Sequence, residues 1–418
     1  MAQPRVLICG AGIAGQALAF WLSKSHFNVT VIERFPSLRS TGLQLDLRGL
    51  GIEVMRRMGL EAFRAKSVRE QGLEIVDTCD KRWAYFPANK SAKGPQGFTT
   101  DFEIMRKDLC EILHDSTKTR VKYTFGTTIE SFTQHDNVVD VIFSDGNKNQ
   151  FDLVVGADGQ ASRTRKAMLG TDAEDPTHYL GAYIAYFTIP QPVEKEKDCN
   201  ARFNLATGKC FIFTRRNEDF SVQIYMACKT DTKWMEDIRK GDTEREKHAF
   251  LDMFKGAGWE TDTILKAMMV TDDFYCERLG VVQLDAWSDG HVALVGDAAF
   301  CPSASTGMGT TSSMMGAYIL AGELDKHCRE SGKRGIPTAL KAYDETFRPF
   351  MNQVQRGLTQ GDSFWERLPD SSFGVTVANF FMWLAMWLRL DVIGKRVLRE
   401  DVGIWKLPDY ETMVKGAK

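Results

Sequence analysis

Residues 5–33 read RVLICGAGIAGQALAFWLSKSHFNVTVIE. The apolar run RVLIC fits a buried parallel strand. A glycine turn follows, then helical patterning over 13–23, then a second apolar run, NVTVIE. Strand, glycine turn, helix and strand in this order predict a βαβ unit that opens a Rossmann-type dinucleotide-binding domain. Each glycine of the turn has a physical reason. Gly10 permits the tight turn, Gly12 lets a pyrophosphate approach backbone at the positive helix end, and Gly15 lets the helix pack on the strand. Glu33, closing the second strand, can accept from ribose hydroxyls. That suits an unphosphorylated adenosine ribose, as in FAD or NAD.

The rest of the chain narrows the function. Its 418 residues suit two domains, or one large α/β body with an insertion. A net charge of −2 argues against nucleic acid as a partner. Nine scattered cysteines without a CxxC pair point to free thiols in a reducing, cytoplasmic setting. No HExxH or Cys/His cluster marks a metal site. No signal peptide is visible. The stretch FGVTVANFFMWLAMWLRL (373–390) is short for a span, so it reads as a buried or interdomain helix and membrane contact is not expected.

Periodicity predicts helices over 50–60 and 105–113, a hairpin over 127–143 and a strand over 151–155. Alternation over 179–190, 201–206, 209–216 and 219–228 predicts antiparallel strands. A mostly helical stretch follows (232–268), then a buried strand at 292–295 and helices near 310–328, 335–360 and 373–399. The expected fold class is α/β: a Rossmann-type domain with an inserted β-sheet domain and a C-terminal helix. The nucleotide-binding domain takes 1–70, 100–176 and 273–360, the substrate domain takes 71–99 and 177–272, and 361–418 forms a C-terminal helical segment.

Two further motifs follow buried strands. GADGQASRTR (156–165) brings small residues and Asp158 to a strand end. GDAAFCPSASTGMGTTSSMM (296–315) places Asp297 at another strand end, then small residues, then a helix that Thr310 or Thr311 can cap. A helix start aimed at a ring gaining negative charge would stabilise that charge.

With GAGIAG, these motifs stand in the order and spacing of the class A flavoprotein monooxygenases, whose prototype is para-hydroxybenzoate hydroxylase, and the chain resembles that family over roughly 1–360. STGLQLDLRGLGIEVMRRMGL (40–60), DDFYCERL (272–279), GDAAFCPS (296–303) and GAYILAGEL (316–324) are similar to the tetracycline-inactivating flavin monooxygenases. The resemblance implies an enzyme that binds FAD, takes NADPH or NADH as transient reductant, and passes one oxygen atom of O2 through a flavin C4a-hydroperoxide. The substrate would be an aromatic or polycyclic, polyketide- or tetracycline-like molecule. Gly10, Gly12, Ala14, Gly15, Glu33, Arg34 and Arg106 would hold the ADP part and nearby atoms, with Asp158 close by. Asp297 would hold the ribityl–pyrophosphate region, and Gly307, Met308, Gly309, Gln44 and Leu45 would line the flavin ring.

Phe213 and Tyr225 could stack on a flat substrate, Arg202 could hold an enolate or phenolate, and Pro302 would border the same pocket. Trp383 and Trp387 could lid it. No single catalytic residue is implied, and the protein is expected to act as a monomer or weak dimer. Phe300, Ala304 and the GMGTT run depart from many relatives, which have histidine, proline and GQGxN there. Ala304 and Met308 motivate an alternative, an FAD-dependent oxidase or dehydrogenase without oxygen insertion.

Overall fold

The computed structural model describes residues 3–38, 44–60, 62–68, 70–88, 102–170, 172–190, 199–218, 221–230, 235, 238, 241–359, 364–388 and 405–416. Two large sheets organise them. The first has six strands in the order Ser288–Asp289, Val292–Leu294, Leu153–Gly156, Arg5–Cys9, Asn28–Glu33 and Lys122–Phe125. All neighbours are parallel except the short edge strand Ser288–Asp289. Layers cover both faces, which is why the inner strands are apolar throughout rather than alternating.

Register matters most here. Cys9 lies beside Gly156, and Gly156 beside Leu294. The three motifs of the sequence therefore leave three adjacent strands at the same carboxyl edge, where open α/β sheets bind ligands. The helix Ile13–Leu22 is buried along nearly its whole length. It lies between this sheet and the long helix Gly309–Ser331, where Trp21 meets Tyr318 edge-on at 5.2 Å.

The second sheet has seven strands: Tyr275–Val282, Thr177–Pro190, Ser221–Lys229, Cys210–Glu218, Ala201–Ala206, Gly72–Val76 and Arg82–Pro87. Both faces are covered, and the alternation sorts them. Val222, Ile224, Met226 and Cys228 join the core beneath the helices Thr243–Phe254 and Thr261–Val270. Tyr225 and Ala227 face the other way, with Tyr186, Phe211 and Trp365.

Several expectations change. The strand Tyr275–Val282 pairs with Thr177–Pro190, so a segment assigned from sequence to the nucleotide-binding part belongs to the second sheet. Within 232–268, expected to be mostly helical, the described helices Thr243–Phe254 and Thr261–Val270 are separated near residues 255–260, where Gly256 and Gly258 adopt φ of +78° and +82°. The C-terminal region is not simply helical: after the helix Ser372–Trp387, residues 405–416 return to the first body. There Tyr410 packs on Tyr318 with centroids 5.3 Å apart and donates to Glu323 at 2.7 Å. The predicted helix over 389–399, and residues 89–99 of the expected substrate domain, lie outside the described residues. Among the described residues, no helix is long and apolar enough to cross a membrane.

Candidate active site

One continuous cavity of about 2100 Å³ runs from the carboxyl edge of the parallel sheet to the face of the second sheet. A drug-sized ligand fills about 300–1,000 Å³. The space thus suits a dinucleotide and a second molecule together. Gly10, Gly12, Ala14, Glu33, Arg34, Gln44, Leu45, Arg106, Asp158, Asp297, Gly307 and Gly309 all line it. Gly15 and Met308 do not.

The glycines divide by what excludes a side chain. Gly10 has φ +110°, and a Cβ there would lie 2.6 Å from the Ala157 carbonyl oxygen. At Gly15 a Cβ would lie 2.0 Å from the Gly10 carbonyl oxygen, so this glycine serves helix-to-strand packing. Gly12 is different. Its backbone is ordinary extended chain, φ −77° and ψ −173°, and the nearest atom to a Cβ is Arg106 Nη2 at 3.8 Å. At Gly309 nothing stands within 4 Å. Neither sterics nor backbone strain within the protein explains these two glycines. A cofactor lying against the backbone does, so the cradle fits FAD. The helix Ile13–Leu22 begins here with no side-chain cap and no acidic residue in its first turn, leaving its first N–H groups for a pyrophosphate.

The charged groups around the cradle are held in place. Glu33 accepts from the N–H of Ala11 at 2.9 Å and of Phe35 at 3.1 Å. Asp297 opens a short helical turn. Burial raises the pKa of its carboxyl, while nearby Arg106 and the Cys301 thiol pull it down. Asp158 accepts from the backbone and hydroxyl of Thr164, at 3.0 and 3.1 Å, and from Ser162. Arg165, the last residue of GADGQASRTR, is buried and reaches the next motif. It donates to the carbonyls of Ala298 at 3.0 Å and Gln160 at 2.6 Å. Arg165→Ala leaves these buried acceptors unsatisfied. It should lower stability by about 2–3 kcal/mol in denaturant unfolding, with FAD content reduced only secondarily.

The glycine-rich loop resolves differently from its sequence reading. Gly307 has φ +65° and ends the turn Ala304–Thr306. Met308, not a threonine, sits at the N-cap of Gly309–Ser331, and no side chain caps this helix. Thr311 is occupied elsewhere: its hydroxyl accepts from Arg48 N–H at 2.9 Å and donates to the Arg48 carbonyl at 3.2 Å. The Met308 side chain turns from the cavity into the apolar core, leaving the residue 2% exposed. Met308→Gln should therefore retain FAD yet lose about 1–3 kcal/mol of stability by burying an amide without partners. Flavin absorbance with a melting curve checks both halves.

On the substrate side, Phe213, Tyr225 and Pro302 line the cavity with Phe203, Phe211 and Trp365. Phe211 and Trp365 stack at 5.7 Å and 19°. Arg202 is a correction. It stands opposite Thr214, one residue out of phase with the Phe203–Phe213 pair, so it emerges on the other face of the sheet. There it pairs with Asp80, with Glu260 at 3.2 Å and with Glu74 at 3.7 Å. Trp383 and Trp387 are a second correction. The helix Ser372–Trp387 borders the cavity through Ala378, Phe381, Met382 and Ala385, and its rotation leaves Trp383 and Trp387 exposed at 39% and 69%.

Sequence reasoning missed a buried charge network at the seam between the two sheets. Arg215 bonds Glu70 at 2.9 Å, Glu103 at 2.5 Å and Asp46 at 3.4 Å, and Arg48 bonds Asp46 at 3.0 Å. Gln44 donates to Glu103 at 2.6 Å, and its backbone N–H donates to Gln223, which also accepts from the Tyr225 hydroxyl. Burial alone would raise the Asp46 pKa, but Arg215 and Arg48 outweigh it and hold this carboxyl below its usual range. The only advance signal was that Arg215 shares strand parity with Phe211 and Phe213. Among the described residues, no His/Cys/Asp/Glu cluster could hold a metal.

A family model described as an FAD binding domain matches residues 3–357. The FAD-dependent monooxygenase asL4 of Sarocladium schorii is 45% identical over 429 residues, covering 99% of this chain and 100% of that protein. The flavin-dependent monooxygenase eupH of a Phoma species is 40% identical over 402 residues, covering 91% and 92%. Among solved structures, the tetracycline destructase Tet(55) superposes with a TM-score of 0.79 at 28% identity, covering 98% of this chain and 99% of that one.

Proposed function

The chain belongs to the FAD-dependent monooxygenases, and from that premise we propose that it uses NADPH or NADH and O2 to hydroxylate an aromatic or polycyclic small molecule of polyketide type. The observation that carries this reading is the single cavity joining the glycine cradle to an aromatic-walled chamber. Bound FAD supplies the redox chemistry, accepting reducing equivalents from the nicotinamide and activating O2 for transfer of one oxygen atom.

The chain's own residues have simpler tasks. Gly12 and the uncapped start of Ile13–Leu22 receive the pyrophosphate, with Arg106 and Arg34 offsetting its charge. Glu33 takes the ribose. Gly309 and Thr310 line the cavity at the start of a helix with no side-chain cap, and that positive end favours negative charge on a ring placed there. Phe203, Phe211, Phe213, Tyr225 and Trp365 hold a flat substrate by stacking and displace water from it. Support for a large, ring-rich substrate comes from the chamber's size and from the likeness to a tetracycline destructase. Nine free cysteines, most of them buried, support a reducing, cytoplasmic setting.

The oxidase alternative weakens. Met308 was one of its two motives, and the Met308 side chain lies in the core, away from the cavity. The deciding measurement is product mass under isotopically labelled O2. Hydroxylation places one labelled atom in the product, with NAD(P)H oxidation faster in the presence of substrate. Unlabelled product with stoichiometric H2O2 would overturn the proposal.

A further inference from the structure

The seam network bears on which substrates the chamber accepts, given the proposed function on which this inference rests. The strand Gln44–Asp46 hydrogen-bonds to Glu103–Met105 and sets Asp46 directly opposite Glu103. Like charges facing each other across a strand pair are unfavourable. Glu70 adds a third carboxylate. Among the described residues two cations answer them, Arg48 and Arg215, which leaves this group of five with a formal charge of −1. Arg215 is already bonded to all three carboxylates. These contacts take four of its five N–H donors, which leaves little of Arg215 for a substrate carboxylate. Asp46 and Glu70, by contrast, can accept more hydrogen bonds than the described donors supply, because a carboxylate has about four lone-pair sites.

The network also sits where the two sheets meet. Arg48 ties to Thr311 in the first turn of Gly309–Ser331, and Gln44 ties to Gln223 on the second sheet. Asp46 and Glu70 line the cavity at that junction. We infer that the Asp46–Glu70 edge selects substrates presenting neutral hydroxyls, phenolic or enolic, and rejects those presenting a carboxylate at the same position. Among the described residues two other cations line the cavity on the substrate side, Arg356 and Arg367, but both are exposed. Water and salt screen them far more than the buried seam. A compact anionic ligand therefore meets the acidic edge as its dominant field. A hydroxyl donating to this edge also gains electron density on its ring, which favours electrophilic oxygenation next to that hydroxyl.

The test is isothermal titration of the FAD-loaded protein with two compact ligands, a dihydroxynaphthalene and the matching hydroxynaphthoate. At neutral pH the naphthoate is ionised. The dihydroxy ligand should bind at least about tenfold more tightly. In Asp46→Asn with wild-type FAD content, that ratio should shrink to about threefold or less. If Asp46→Asn fails to fold or load, Glu70→Gln carries the same expectation. Equal or tighter binding of the naphthoate, an unchanged ratio in the loaded variants, or no heat from either ligand would overturn the inference. Because heat is read rather than turnover, failure here is distinct from failure of the oxygenation reading, which the label in the product decides.

Discussion

Gly12→Val yields a folded protein that emerges colourless. The substitution is benign to the chain itself. The backbone at Gly12 is extended, and the nearest protein atom to a new Cβ is the flexible tip of Arg106 at 3.8 Å. Valine at an N-cap costs the helix about 1 kcal/mol, an amount a domain of this size tolerates. Its branches project into the cradle and hold a pyrophosphate off the N–H groups. FAD affinity should fall at least about a hundredfold, or about 2.7 kcal/mol. Circular dichroism should match the parent, and the flavin-to-protein ratio after reconstitution should approach zero. Gly15→Ala supplies the contrast. Its Cβ would lie 2.0 Å from the Gly10 carbonyl, so the loss should appear first as instability. A Gly12→Val protein that loads FAD normally would show that the cradle is not where the cofactor lies.

Arg215→Met should destabilise the protein by about 3–5 kcal/mol, because removing one partner of a buried ion network leaves the other charges uncompensated. The pH dependence identifies the cause. In the wild type, Asp46 has a folded pKa below its unfolded value, which is about 3.9. Its stabilising contribution is therefore complete above the unfolded value and is lost as pH falls through the folded one. In Arg215→Met the sign reverses. With Arg215 gone, Asp46 keeps only Arg48 against burial, so its folded pKa rises, and the penalty on its charged form grows as pH rises through that value. The stability deficit of the variant should be larger at about pH 8 than at about pH 5.5. Neutralising the partners as well, in Arg215→Met with Glu70→Gln and Glu103→Gln, should recover much of the loss. A pH-independent deficit would instead indicate lost packing of the arginine stem against Phe213, which the guanidinium overlies at 5.5 Å.

The nucleotide-binding edge was legible because its cues are local. A strand, a turn and a helix start lie within a dozen residues of one another at Gly10–Gly15, and again at Asp158 and Asp297. Apolar runs identify inner strands whatever their neighbours. Met308 was not legible. Whether its side chain meets the cavity or the core depends on the left-handed turn at Gly307 and on the helix beginning at Gly309. Nor was Arg202. Alternation separates the two faces of a strand, but hairpin register and the docking of the neighbouring helices decide which face meets the cavity. For Trp383 and Trp387, the fourfold spacing placed both on one helix face, and the packing of Ser372–Trp387 turned that face to solvent.

The seam network shows the limit most clearly. Asp46, Arg48, Glu70, Glu103 and Arg215 come from separate segments, and in sequence each reads as an ordinary charged residue. What makes them a network is burial, which the chain acquires only when the second sheet closes on the strand Gln44–Asp46. The amino-acid sequence by itself determined that this protein builds a parallel sheet with a glycine-rich carboxyl edge, because short-range sterics and hydrophobic patterning suffice for that. The tertiary structure alone decided which charges are taken out of water, because desolvation depends on neighbours brought from far along the chain.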